Sequence, residues 1–380
     1  MEKSYKIRIY PNERQRILIH KTFGCCRYVY NYYLNKRDQV YETEKRTYSF
    51  KECSKDLTKL KQEKEWLKEP DKHALQNTLK NLDKAYVDFF NNKRNHPRYK
   101  SKNGIHRYSY KTQNGDYDRK SQLIMVKEHH IKLPKLGWVR FRDKQIPMGQ
   151  IINAIVSQEP NGEYYVSIYC KNIPDYETKK TGRNIGIDLG TSDFCIFSDG
   201  TKITNPKYYK QYEEKITKLH RELDRKTVGS ANWEKARIKL AKAYNKISCK
   251  KKDYLQKLTT EIVKNNDVIC IETLDVSKMI NKADAETNKI KAIKRKAIVE
   301  LSMFSFAKQL TYKTLWHNKK LIKVDQFYPS SQLCHVCGHR NSKVKDLEIR
   351  YWVCPKCKTK HDRDINAAIN ILNEGLKQVV

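Results

Sequence analysis

The hydrophobic pattern changes period several times along the chain. Tyr5, Ile7 and Ile9 alternate with Lys6 and Arg8 up to Pro11, which predicts a strand over Tyr5–Tyr10. From Asn12 to about Tyr41 the period becomes helical, with Asn12 placed to cap the helix. Helical sequence continues to about Asn91, where Leu75, Leu79, Leu82, Ala85, Tyr86 and Phe89 recur three and four apart. Strand patterns then return at Ile131–Leu133, Val139–Phe141, Ile151–Ser157 and Tyr164–Tyr169, with Pro160-Asn161-Gly162 turning the chain between the last two. A helical segment therefore interrupts a strand-rich one, and the strands predict a small β-barrel or β-rich domain.

Lys179-Lys180-Thr181-Gly182 reads as a linker, and a new pattern follows it. Ile185–Asp188 is a short apolar strand ending in a carboxylate. Phe194–Phe197, the turn Asp199-Gly200 and Thr201–Thr204 continue it as a hairpin meander. Two long charged helices are predicted at about 206–226 and 231–265, with Ile216, Leu219, Leu223, Trp233, Leu240 and Tyr244 on the seams of a helical hairpin. Val268–Ile271 is a fourth strand, ending in Glu272. A helix over 293–319, a fifth strand over Leu321–Val324 and a last helix over Asp364–Leu372 complete the series.

Composition narrows the function. The 380 residues carry 78 Lys plus Arg against 43 Asp plus Glu, a net charge of +35. Such a charge opposes compaction unless a polyanion neutralises it, and nucleic acid is the obvious polyanion. An ordinary metabolic enzyme is excluded as the default reading, although biased base composition explains part of the Lys excess. Residues 91–145 hold 15 Lys and Arg against 4 Asp and Glu, interleaved with Tyr99, Tyr108, Tyr110, Tyr117, Trp138 and Phe141. Basic side chains follow phosphates and aromatic faces stack on bases, but each of these aromatics taken singly is better read as core. Arg98, Lys100 and Arg107 in this segment are candidate nucleic-acid contacts. No run approaches the ~20 apolar residues of a membrane span, and the start has no signal-peptide pattern. The expectation is a soluble, cytoplasmic protein without a membrane partner, associated with the nucleoid when on DNA.

The chain has 11 Cys, an odd number that argues against a disulfide framework. Seven are scattered and read as small buried hydrophobes. The other four form Cys334-x-x-Cys337 and, after 16 residues, Cys354-x-x-Cys357. Two such pairs place four thiolates around one tetrahedral position, which suits one structural Zn²⁺ in a zinc ribbon. Four ligands leave no open position for chemistry. His335, His339 and His361 are the substitute ligands in reach.

Three carboxylates stand out by context. Asp188 and Glu272 each close an apolar strand, and Asp364 opens the final helix. Asp362 is the main rival to Asp364, and Asp325 a weaker one. Strand–hairpin–helix–strand–helix–strand–helix is the order of an RNase H-like α/β sheet, in which the first and fourth strands are neighbours. That would hold Asp188 and Glu272 side by side, with Asp364 brought across by the last helix. Crowded carboxylates repel unless cations neutralise them. Hard oxygen ligands select Mg²⁺ or Mn²⁺, and two such ions ~3.5–4 Å apart suit phosphodiester hydrolysis.

With these residues in view, the sequence resembles the TnpB family, the small RNA-guided nucleases of bacterial insertion sequences, related to type V CRISPR effectors. The resemblance rests on five pieces. They are Phe23–Asn31; Leu82–Tyr86 with Phe89-Phe90; Gly186-Ile187-Asp188-Leu189-Gly190; Ile271-Glu272-Thr273-Leu274; and Tyr328–Gln332 running through both Cys pairs into His361–Ile371. It covers essentially the whole chain. It implies an α/β multidomain protein: a wedge β-barrel from 1–11 and 92–178, interrupted by a helical recognition segment at 12–91, then a RuvC nuclease domain over 183–380 with a zinc ribbon inserted at 330–361. It implies Asp188, Glu272 and Asp364 as the RuvC carboxylates, Asp364 being the one that stands two before Asn366. The long basic helices fall where the family has a hairpin insertion.

The implied activity is cleavage of double-stranded DNA at a site chosen by a guide RNA from the element's own end, while the protein reads only a short adjacent motif. One protein per guide RNA is implied. The family reads that motif between its helical segment and its wedge barrel, which singles out Gln76, Asn77 and Lys80 on the helix Ala74–Lys80. Amides pair with adenine, and Lys reaches guanine or phosphate. The competing readings are an RNA-guided DNA-binding repressor without cleavage, and a guide-free transposase or resolvase-type nuclease.

Overall fold

The computed structural model describes residues 1–102, 106–111, 124–142, 146–190, 193–273, 302–346 and 348–378. Tyr117, Thr191, Leu274 and the first part of the helix expected at 293–319 lie outside them. The chain divides into two compact units, Met1–Pro174 and Asp175–Val380.

In the first unit, β1 (Lys3–Tyr10) leads into α1 (Glu13–Glu44), α2 (Phe50–Glu63) and α3 (Lys72–Phe90). The strands β2 (His106–Lys111), β3 (Met125–Lys127), β4 (His130–Leu133), β5 (Gly137–Phe141), β6 (Gln150–Gln158) and β7 (Tyr164–Lys171) follow. The alternation seen in sequence is structural: Tyr5, Ile7 and Ile9 are buried and their neighbours are not. Asn12 caps α1 through a reciprocal box. Its side chain accepts from the Gln15 N–H at 2.9 Å, and the Gln15 side chain accepts from the Asn12 N–H at 3.0 Å.

The seven strands make one antiparallel sheet in the order β2-β6-β7-β1-β5-β4-β3. Among the described residues no ladder joins β2 to β3. Helices and sheet share one core, in which Ile7, Phe23, Leu34, Leu75, Leu79, Val139 and Ile168 meet. His20 on α1 hydrogen-bonds the Tyr164 hydroxyl of β7 at 2.7 Å. The core reading of the aromatics holds for Tyr108 and Phe141, which are buried, and fails for Tyr99 and Trp138, which are exposed.

In the second unit, β8 (Asn184–Asp188), β9 (Asp193–Phe197) and β10 (Lys202–Thr204) form an antiparallel meander. The helical hairpin α4 (Tyr208–Asp224) and α5 (Ala231–Asn265) follows, closed by Ile216, Leu240 and Ile247. Then come β11 (Val268–Glu272), α6 (Met303–Trp316), β12 (Lys320–Val324), β13 (Tyr351–Val353), β14 (Lys360–Asp362) and α7 (Arg363–Lys377). The five-stranded sheet has the order β10-β9-β8-β11-β12, with β11 parallel to both β8 and β12. First and fourth strands of the unit are thus neighbours, as the element order requires.

Both faces of this sheet are covered, which is why its central strands are apolar throughout. Ile185, Ile187, Ile269 and Ile271 pack with Leu258 and Ile262 of α5 and Phe306 and Leu310 of α6. The intervening Cys270 packs with Ile371 of α7. The layers are therefore helix, sheet, helix. Two glycines let α7 lie close: a Cβ on Gly186 would stand 2.1 Å from the Ala368 carbonyl oxygen, and one on Gly375 would stand 2.3 Å from Cys270 Sγ. The expected linker is tied down. The Asp267 carboxylate accepts from the Thr181 and Gly182 N–H groups at 2.9 and 2.7 Å and pairs with Lys319. No helix among the described residues is long and apolar enough to cross a membrane.

Candidate active site, cysteine cluster and nucleic-acid contacts

Ile187 and Ile271 are ladder partners in the parallel pair β8–β11. The next residues, Asp188 and Glu272, therefore leave the sheet together at its carboxyl edge, the usual ligand side of an α/β sheet. Asp364 sits in the first turn of α7, which packs against the same strands. Asp188 feels the other two. Burial pushes the Asp188 carboxyl up to about 7, and the charges of Glu272 and Asp364 push the same way; the Arg363 guanidinium and the Leu189 N–H oppose them. Burial pushes Glu272 up to about 7 as well. Asp364 accepts from Arg350 Nη1 at 3.3 Å.

Asp362 has a different task. Its side chain caps α7, accepting from the Asp364 and Ile365 N–H groups at 3.0 and 3.2 Å, and it pairs with Lys202 at 2.7 Å. Burial acts to raise its pKa, but Lys202 and the capped N–H groups outweigh it and hold the carboxyl low. Asp325 is exposed and caps the Phe327 N–H at 2.7 Å. The donor set left at the edge is three carboxylates, which suits hard divalent cations such as Mg²⁺ or Mn²⁺.

The four cysteines converge more tightly. Their sulfurs lie within 4.8 Å of one another, the pairs Cys334–Cys357 and Cys337–Cys354 at 3.5 and 3.6 Å. A tetrahedron of ~2.3 Å Zn–S bonds has edges of ~3.8 Å, so the residues fit one zinc. Among the described residues this is the group whose ligand atoms close on a single point.

The histidines stand beside the cluster. His361 Nε2 is 3.1 Å from Cys334 Sγ, and its ring stacks obliquely on Trp352 with centroids 4.5 Å apart. His335 Nδ1 meets Asn366 Oδ1 at 3.0 Å, and the His339 carbonyl accepts from the Cys334 N–H at 2.9 Å. Sequence reasoning passed over Asn366 and Asn370, two almost fully buried amides of α7. Their signal was two polar residues four apart on an otherwise apolar helix face.

On the expected DNA-reading helix, Asn77 faces inward and not onto a polar face. Ala74, Leu75, Thr78 and Leu79 are buried, and Asn77 is buried with them. Its Nδ2 donates to the Ser109 carbonyl of β2 at 2.9 Å, so the amide ties α3 to the sheet instead of facing outward. Gln76 is half-buried and Lys80 exposed. Arg98 and Arg107 are exposed. Lys100 is exposed as a residue, yet its ammonium lies 3.6 Å from the centroid of the Tyr30 ring, and desolvation brings its pKa down to about 8. The Asn31 side chain pins the Lys100 backbone N–H and carbonyl at 2.8 and 2.9 Å.

Three sequence families match the chain. One, described as "Probable transposase", matches residues 167–283. A Cas12f1-like TNB domain matches 304–371, and a helix-turn-helix domain matches 1–46, which here fold as β1, α1 and the turn after it. A Streptomyces pristinaespiralis protein, provisionally named an RNA-guided DNA endonuclease, is 32% identical over 99% of this chain and 90% of its own. An Escherichia coli K12 protein, provisionally named RNA-guided DNA endonuclease InsQ, is 29% identical over 98% of this chain and 92% of its own. Mimivirus TnpB-like protein L79 is 26% identical over 98% of this chain and 73% of its own. In fold, the chain is similar to Cas12f1 in a cryo-EM structure of the Cas12f1–sgRNA–target DNA complex, with a TM-score of 0.59 at 13% identity over 98% of both chains. On the near full-length identity, and on family matches that take in Asp188, Glu272, Asp364 and both Cys pairs, the chain belongs to the TnpB family.

Proposed function

We propose that the protein is an RNA-guided endonuclease that cuts double-stranded DNA at a single RuvC centre formed by Asp188, Glu272 and Asp364. The observation that carries this reading is the exit of Asp188 and Glu272 from adjacent parallel strands, with Asp364 close enough to raise the Asp188 pKa. In this reading the first unit supplies the wedge and recognition parts, and residues 330–361 form the zinc ribbon. The partners are a guide RNA from the end of the element and a double-stranded target, with one protein per guide.

The three carboxylates would hold two Mg²⁺ or Mn²⁺ ions, which supply water activation and charge neutralisation at the scissile phosphate. The chain's own part is positional. β8 and β11 fix two ligands on a rigid edge, α7 fixes the third, and Asp362 stays committed to Lys202 and the helix cap. The surplus of 35 positive charges favours binding of RNA and DNA before any sequence is read. Cys334, Cys337, Cys354 and Cys357 would hold the zinc, which does no chemistry.

The test is reconstitution. Protein carrying the guide RNA should cut a matched plasmid in Mg²⁺ and should fail without guide. Stable guided binding with no cleavage would favour the repressor reading, and cleavage without guide the resolvase-type one.

A further inference from the structure

Asn366 and Asn370, two buried amides, follow Asp364 along α7. Asn366 is 1% and Asn370 4% exposed, on a helix face that otherwise packs apolar side chains. Unpaired amides there would be costly, and both make hydrogen bonds to the cysteine-bearing segment. Asn366 Nδ2 donates to the Leu333 carbonyl at 2.7 Å. Its Oδ1 accepts from the His335 backbone N–H at 3.1 Å and faces His335 Nδ1 at 3.0 Å, which sets Nδ1 as the protonated ring nitrogen. Asn370 Nδ2 donates to the carbonyls of Leu333 and Ser330 at 2.7 and 2.8 Å. Leu333 and His335 flank Cys334, the first sulfur of the cluster, and Ser330 stands four residues before it.

The far side of the cluster reaches the same helix. β13 and β14 pair Trp352 with His361, the Arg363 N–H donates to the Arg350 carbonyl at 2.9 Å, and the Arg350 guanidinium reaches Asp364. The first turn of α7 is thus gripped from both knuckles, and Asp364 stands two residues before Asn366. We infer that Asn366, with Asn370 as its second point of attachment, is a positioning residue that couples the zinc knuckle to Asp364, so that an intact knuckle sets the affinity of the carboxylate site for its divalent cation. This rests on the proposed catalytic reading of Asp364. It gives the structural zinc a stated influence on the carboxylate centre without placing it in the reaction.

The experiment reads Mn²⁺ binding to full-length protein by electron paramagnetic resonance, alongside zinc content and thermal stability. Asn366→Ala should keep about one zinc per chain and weaken Mn²⁺ by about 10- to 100-fold, the range for partners that orient metal ligands. Cleavage by this variant should recover as Mn²⁺ is raised, which a general folding defect would not allow. Chelating zinc from the wild type should weaken Mn²⁺ similarly, and chelating it from Asn366→Ala should add little, because both act on one link. If Asn366→Ala does not fold, Asn370→Ala carries the test with a smaller effect in the same direction. Wild-type Mn²⁺ affinity in a zinc-loaded Asn366→Ala protein overturns the coupling, and so does loss of zinc from that variant. Wild-type Mn²⁺ affinity in an Asp364→Asn control overturns the carboxylate site itself, and the coupling with it.

Discussion

Ile187 faces Ile271 across a parallel ladder, and this pairing delivers Asp188 and Glu272 to one edge although 83 residues of chain separate them. The strands are buried on both faces, so neither carboxylate can withdraw without disturbing the core. The site is held by the sheet more than by its own hydrogen bonds.

Removing one shared ligand should therefore abolish chemistry and spare binding. Asp188→Ala with guide RNA and Mg²⁺ is expected to leave a matched plasmid uncut, with guide affinity unchanged because phosphate contacts elsewhere supply it. A plasmid nicking assay and a filter-binding titration check the two halves. Substantial cutting by this variant would sink the assignment.

The raised pKa values set a pH signature in metal-free protein. Asp188 and Glu272 are both pushed up to about 7, above their unfolded values, so the folded state binds more protons than the unfolded state from about pH 4 to 7. Their contribution to stability is fully present below the unfolded pKa and is lost as pH rises through about 7. Melting temperature without divalent cations should fall across this window. Mg²⁺, which takes the deprotonated carboxylates, should restore it at pH 8 and do little at pH 5. Asp188→Asn should flatten the slope, as differential scanning fluorimetry would show.

Zinc should behave as a folding ligand. Cys354→Ser is expected to lose the metal and loosen the segment around β13 and β14, since thiolate–zinc energy is folding energy in such small modules. Emission analysis of native protein should find about one zinc per chain. Four freely reactive thiols in native, metal-free protein would refute it.

Asn77 and Gln76 should now part company. Asn77→Ala removes the donor to the half-buried Ser109 carbonyl and should cost about 0.5–1.5 kcal/mol of stability while leaving the target-adjacent motif unchanged. Gln76→Ala should shift the motif at one base position, and Lys80→Ala should weaken all targets alike with a lower salt slope. A randomised-motif cleavage screen separates these outcomes. An unchanged motif in Gln76→Ala would direct the search to Arg98 and Arg107.

Gly186→Ala should act on the site from behind. The added Cβ meets the Ala368 carbonyl at 2.1 Å, and backbone on both sides must move, costing ~1–3 kcal/mol. Because α7 carries Asp364, cleavage should drop more than guide binding. Full cleavage at wild-type stability would show that α7 does not need so close an approach.

Much of this was legible in the chain. Period and punctuation gave β1, the helices and the alternating core, because burial of one face imposes a period of 2 or 3.6 on any sequence. The Cys spacing gave the four-cysteine cluster, because two pairs of thiols, each three residues apart, have few other uses. Apolar runs ending in Asp188 and Glu272 gave the sheet edge. Contacts distant in sequence were not legible. A polar residue on a helix reads as solvent-facing, and nothing local reports that Asn77 meets Ser109, or that Asn366 and Asn370 meet Leu333 and Ser330. Nor does composition separate Tyr108 from Tyr99, or Asp362 from Asp364. Those choices were made when the sheet and helices packed: an amide or carboxylate takes its role from the partner packing brings to it, and the pattern of one segment holds no record of that partner.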